Sequence, residues 1–165
     1  MKPGDVLLYG PSNLYGWIIS IKTWHSIAHV EVYIGNGKAV AARGEGVSVY
    51  AVRTDGLVEV RRPHFEQPTS TFNVRLALDT FYRKYNGQKY DWLGLIRFAW
   101  RARVVPERFD NRQFCSELAT RFLRDGWPAT EHDIFANEDA DAVAPFEFML
   151  TPMLEKVGAA EPALA

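Results

Sequence analysis

Cys115 is the only cysteine in this chain of 165 residues, and it sits in Phe114-Cys115-Ser116-Glu117-Leu118. Far upstream, Ala28-His29-Val30-Glu31-Val32-Tyr33-Ile34 alternates polar and apolar residues. A thiol becomes a nucleophile when a neighbouring base takes its proton. A position in the first turn of a helix also favours the thiolate, because the free N–H groups there point at the sulfur. An imidazole from residue 29 placed beside the sulfur of residue 115 would make such a nucleophile.

Each residue alone supports a plainer reading. Cysteine is among the most buried residue types, and Leu118 and Phe122 share its helical face. The polar neighbours Gln113, Ser116 and Glu117 suit a cleft edge instead. His29 on a half-buried strand is often structural, but Glu31 follows on the same face about 7 Å along. Two polar residues at alternate positions of an apolar strand are costly unless that face is wet or paired. Tyr33 continues the face as a hydrogen-bond donor.

These groups need a strand, a helix and a scaffold to join them. Val6-Leu7-Leu8-Tyr9 reads as a short strand after the turn Pro3-Gly4-Asp5. Residues 28–34 have strand period, Gly35-Asn36-Gly37 signals a hairpin turn, and Lys38 to Arg43 returns. Val47 to Arg53 and Leu57 to Arg61 read as two more strands, which gives an antiparallel meander. Apolar residues at helical spacing predict helices over 13–24 and over 74–85. Residues 90–98 read as a buried helix. Asp110 with Gln113 has the shape of a capping box before a helix ending at Asp125-Gly126. Pro145 to Val157 is expected to hold one or two short helical turns. The expectation is one domain over 1–157 with a flexible tail over 158–165.

Composition excludes several classes. A net charge of −1 gives no basic patch for nucleic acid. No run reaches the ~18 apolar residues of a membrane helix, and the N-terminus lacks an apolar signal core. A cytoplasmic or phage-associated location is therefore expected, without stable membrane insertion. One cysteine forms no intramolecular disulfide. His25, His29 and Glu31 lack the spacing of a metal site, so no metal and no cofactor are expected.

Taken in order, Pro3-Gly4-Asp5-Val6-Leu7, His29 to Gly37, Tyr90-Asp91-Trp92 and Phe114 to Leu118 resemble the NlpC/P60 superfamily of papain-like cysteine hydrolases. The resemblance is to its circularly permuted branch, the YiiX-like and lecithin:retinol acyltransferase-like proteins. It implies an α+β fold, a permuted papain-like arrangement with an antiparallel β-meander or barrel packed against helices. It implies a catalytic Cys115–His29 pair. Its two substrate classes are the amide bond of a peptide, usually a bacterial cell-wall peptide, and the acyl ester or amide of a lipid, sometimes with acyl transfer. Gln113, Ser116, Tyr33 and Tyr9 are the expected oxyanion and substrate-binding residues.

One position departs from that pattern. Family members carry a small residue at position 31 and the third polar group on the return strand, where this chain has Ala41. Glu31, opposite Ala41 on the same face, is expected to orient His29 instead. A non-catalytic binding module on the same scaffold is the alternative from another class.

Overall fold

The computed structural model describes residues 1–11, 26–64, 72–91, 112–127, 140 and 143–157. The helix expected over 13–24, most of the segment 90–98 and the tail over 158–165 lie outside them.

Strands β1 (Val6–Tyr9), β2 (His29–Gly35), β3 (Lys38–Arg43), β4 (Gly46–Ala51) and β5 (Leu57–Pro63) lie where alternation and turn residues place them. The β2–β3 hairpin turns on Asn36 and Gly37, at φ 51° and 66°. Two consecutive positive φ angles make the tight turn whose twist matches the flanking strands. The register pairs Val32 with Val40 and Tyr33 with Ala39. Continued back, it sets Glu31 opposite Ala41 and His29 opposite Arg43.

The sheet is not the simple meander expected from the chain order. Its order is β4-β3-β2-β1-β5-β8, with β8 at Leu154–Lys156, so β5 leaves β4 and pairs with β1. In a flat sheet, β4 and β5 would be about 19 Å apart. That is nearly the full reach of the chain from Ala51 to Leu57. The link also contains a turn in which Leu57 N–H bonds Thr54 C=O. The sheet must therefore curl, which brings β4 towards β5.

Curling gives the sheet two buried faces. Val6, Leu8, Val30, Val32 and Val40 face the helices, and Leu7, Tyr9, Ala39 and Val60 line the opposite face. Helix α1 (Val74–Lys84) is capped by Asn73, whose side chain accepts the Leu76 N–H at 3.0 Å. Helix α2 (Cys115–Gly126) packs on α1 through Phe81 and Phe122, whose rings meet edge-on at 6.1 Å. Gly126 closes α2 because a Cβ there would lie 2.1 Å from the Phe72 ring.

Two further expectations are corrected. The short strands β6 (Lys89–Tyr90) and β7 (Arg112–Gln113) pair in parallel, so Tyr90 is in a strand and not a helix. The N-cap of α2 is Phe114, with no side-chain cap, so Gln113 precedes the helix and no capping box forms. The short helical turn expected within 145–157 is α3 (Glu147–Leu150), and β8 (Leu154–Lys156) extends the sheet beside β5. Among the described residues, no helix is long and apolar enough to cross a membrane.

Candidate active site

β2 holds the first half of the site. His29, Glu31 and Tyr33 share one face, as a period of two requires. Nε2 of His29 lies 3.0 Å from Oε1 of Glu31. The His29 side chain is 17% exposed, and Glu31 is fully buried.

Helix α2 brings the second half. Cys115 is its first residue and lies beside the His29 side chain, close enough for each to shift the other's titration. With Nε2 committed to Glu31, Nδ1 is the ring nitrogen left for the sulfur. The backbone N–H groups of Val30 and Ser116 lie near enough to favour a charge on the sulfur. An α2 start without a side-chain cap suits this, since the first-turn N–H groups then meet sulfur instead of a capping oxygen. The Tyr90 phenol lies close enough to the same sulfur to feel its charge. Its approach follows from the β6–β7 pairing, which sets Tyr90 beside Gln113, two residues before Cys115.

Glu31 is held from three sides. Arg43 reaches it with two prongs, Nε to Oε1 at 2.9 Å and Nη2 to Oε2 at 3.0 Å. Arg53 Nη2 lies 3.3 Å from Oε1. Each guanidinium stacks on an aromatic ring, Arg43 on Tyr50 at 4.5 Å and Arg53 on Tyr9 at 4.9 Å. Tyr9 in turn packs against the imidazole, with ring centroids 5.9 Å apart.

The electrostatics follow. Burial by itself pushes the Cys115 thiol up, but the adjacent imidazolium and the N–H donors outweigh it and hold the thiol below its ordinary value. Burial pushes His29 down, yet the sulfur and the Glu31 carboxylate raise it to about 9. Burial likewise opposes the Glu31 charge, but His29 and Arg43 hold the carboxyl down at about 2. These directions favour a thiolate, an imidazolium and a carboxylate in a row. Burial and the charge on the sulfur push the Tyr90 phenol above its ordinary value, so it stays a donor.

No family model matches the chain. Over 121 residues, 70% of its length, the chain is 24% identical to the probable lipoprotein peptidase YaeF of Escherichia coli K12. The match spans 40% of YaeF, so the chain corresponds to less than half of that relative. The crystal structure of the metalloprotein YiiX from Escherichia coli O157:H7 superposes with a TM-score of 0.66. The alignment covers 98% of both chains at 19% identity. The chain has the YiiX fold.

Together, the sequence likeness to YaeF and the YiiX fold support the resemblance to the YiiX-like branch. YiiX is described as a metalloprotein, which raises the question of a metal here. Among the described residues, no group of three His, Cys, Asp or Glu side chains is placed to hold a metal ion. Both Glu31 oxygens already receive guanidinium groups, so a cation there would meet two positive charges. The described residues do not fit a metal at this site.

The structure brings Cys115, His29 and Glu31 together. The other expected residues are placed differently. Ser116 is fully buried, and its Oγ donates to the Val143 carbonyl at 2.6 Å. The Glu117 carboxylate pairs with Arg121 one turn on, at 2.7 Å. These polar neighbours of Cys115 are therefore satisfied internally, and Cys115 itself is only 1% exposed. The Tyr33 hydroxyl accepts the Gly37 N–H at 3.3 Å, at the hairpin turn. The Tyr9 hydroxyl donates to the Arg53 carbonyl at 3.2 Å, behind the imidazole. Gln113 lies on β7; its side chain is outside what is described.

Sequence reasoning missed three contacts. Arg43 and Arg53 read as ordinary strand arginines, although Arg43 opposite His29 was implied by the hairpin register. Tyr90 was visible only as part of the Tyr90-Asp91-Trp92 motif.

Proposed function

We propose that this protein is a cysteine hydrolase that cleaves an amide bond through a Cys115 acyl-enzyme, with a cell-wall-type peptide as substrate. One observation carries the reading: Cys115 sits beside an imidazole that is held on its other side by a buried carboxylate. That order of thiol, imidazole and carboxylate is the working order of a nucleophile, a base and its orienter. The name of the distant relative YaeF, a probable peptidase, supports a hydrolase.

In the proposed cycle His29 holds the thiol proton as an imidazolium. The Cys115 thiolate attacks the carbonyl carbon, forming a C–S bond and moving an electron pair to the carbonyl oxygen. The backbone N–H of Cys115, with the Gln113 side chain, is the proposed oxyanion donor set. As the tetrahedral intermediate collapses, the C–N bond breaks and His29 gives its proton to the leaving amine. A water then attacks the thioester, with His29 as base. The acid leaves, and the proton returns to the thiolate–imidazole pair. Glu31 keeps its charge throughout and acts as a positioning residue.

The test is turnover of a cell-wall peptide by the Cys115→Ala and Cys115→Ser variants. Both are expected to fall to below roughly a thousandth of the parent rate with an unchanged circular dichroism spectrum. Full activity in either variant would end the reading. Intact-mass spectrometry after exposure to wall peptides and to short acyl esters reads which acyl group stays on Cys115.

A further inference from the structure

The feature this mechanism leaves unused is the pair of arginines behind Glu31. Arg43 comes from β3 and Arg53 from the link between β4 and β5, and both end on the carboxylate that holds His29. A fully buried carboxylate with one imidazole partner would be poorly solvated and free to turn. A two-pronged guanidinium fixes the plane of a carboxylate as well as its charge.

We propose that Arg43 is a positioning residue for the reaction, fixing the Glu31 carboxylate so that His29 is presented with Nδ1 towards Cys115, and that Arg53 is its weaker auxiliary. The inference rests on the cysteine-hydrolase reading. The two arginines differ in ways that rank them. Arg43 makes both contacts at 3.0 Å or less, donates also to the Ala51 carbonyl at 3.0 Å, and has a side chain only 16% exposed. Tyr50, on which it stacks, is itself tied to the Gly46 carbonyl at 3.0 Å. Arg53 makes one contact at 3.3 Å from a side chain 37% exposed.

The fork also settles where the proton rests. The groups around the imidazole are Tyr9 from β1, Glu31 from β2, Arg43 from β3, Arg53 from the following link, Cys115 from α2 and, across the sulfur, Tyr90 from β6. Thiolate, imidazolium and Glu31 carboxylate alone would carry one net negative charge. The two guanidiniums turn that into one net positive charge. A carboxylate so neutralised is a poor acceptor for the imidazolium proton, which stays on His29 for the leaving group. The surplus positive charge also favours the thiolate.

The test is the rate of Cys115 alkylation by iodoacetamide across pH 5 to 9, in the full chain, with thermal unfolding recorded for each variant. Arg43→Met is expected to slow alkylation at neutral pH at least tenfold and to move its midpoint upward. Arg53→Met should have a smaller effect in the same direction. Should Arg43→Met fail to fold, Arg43→Lys carries the test. It keeps the charge but loses the fork, and is expected to slow alkylation severalfold. In a Glu31→Gln background Arg43→Lys should change the rate no further, because its action passes through that carboxylate. Parent-like rates in Arg43→Lys, or an equal effect with and without Glu31, would overturn the proposal. If the parent protein itself alkylates as an ordinary thiol, the hydrolase reading fails first, which separates the two outcomes.

Discussion

Oε1 of Glu31 lies 3.0 Å from Nε2 of His29, two residues back on the same strand, and the same oxygen also receives Arg43 and Arg53. The carboxylate that orients the ring thus comes from the histidine's own strand. At the facing position on β3 the chain has Ala41, whose small side chain leaves room for it.

Two substitutions at Glu31 separate charge from packing. Glu31→Gln keeps the shape, so His29 falls towards its ordinary value, and turnover should drop about 100-fold. Glu31→Ala also leaves two guanidiniums facing a void, and should cost about 3–5 kcal/mol of stability in urea unfolding. The pH dependence has a definite sign. Glu31, held at about 2 against an ordinary 4.5, contributes stability that is complete above about 4.5 and is lost as pH falls towards 2. His29, raised from 6.5 to about 9, contributes stability that is complete below about 6.5 and is lost as pH rises through 9. Glu31→Gln should therefore flatten the acid limb of the parent's stability profile. An acid limb identical to the parent's would contradict the assignment.

Tyr90→Phe removes the phenol O–H that lies close to the Cys115 sulfur. A hydrogen bond to a charged group is worth about 1.5–3 kcal/mol. Alkylation of Cys115 just below neutral pH should slow about tenfold, with thermal stability nearly unchanged. An unaltered rate would remove the phenol from the thiolate's environment.

Ser116 is next to the nucleophile, yet its hydroxyl serves the fold by bonding the Val143 carbonyl. Ser116→Ala should cost about 1–2 kcal/mol in urea unfolding and leave Cys115 alkylation as it is in the parent. A large change in reactivity with no loss of stability would reverse that assignment.

Local pattern carried much of this site. The alternation through His29 and Glu31, the Asn36-Gly37 turn and the apolar stripe behind Cys115 each depend on neighbours a few residues away. Such features are legible because side-chain period and turn chemistry are local. What local pattern does not hold is which strands meet. The step of β5 to β1 depends on curling of the whole sheet, and the β6–β7 pair joins segments about twenty residues apart. Tyr90 was read as helical because its apolar surroundings suit either element. Ser116 and Glu117 looked solvent-facing because polarity on a helix does not reveal that a carbonyl or an arginine is waiting across the packing.

The central claim is that Cys115 and His29 share a proton, with the charge separated at neutral pH. The most direct measurement is the ultraviolet absorbance of the thiolate, titrated in the parent and in His29→Ala. The account predicts a thiolate already formed at neutral pH in the parent and lost only on acidification. In His29→Ala it predicts that the thiolate appears only at or above the ordinary thiol value of ~8.5. A parent thiolate that appears only in that alkaline range, or a midpoint that does not move when the imidazole is removed, would contradict it.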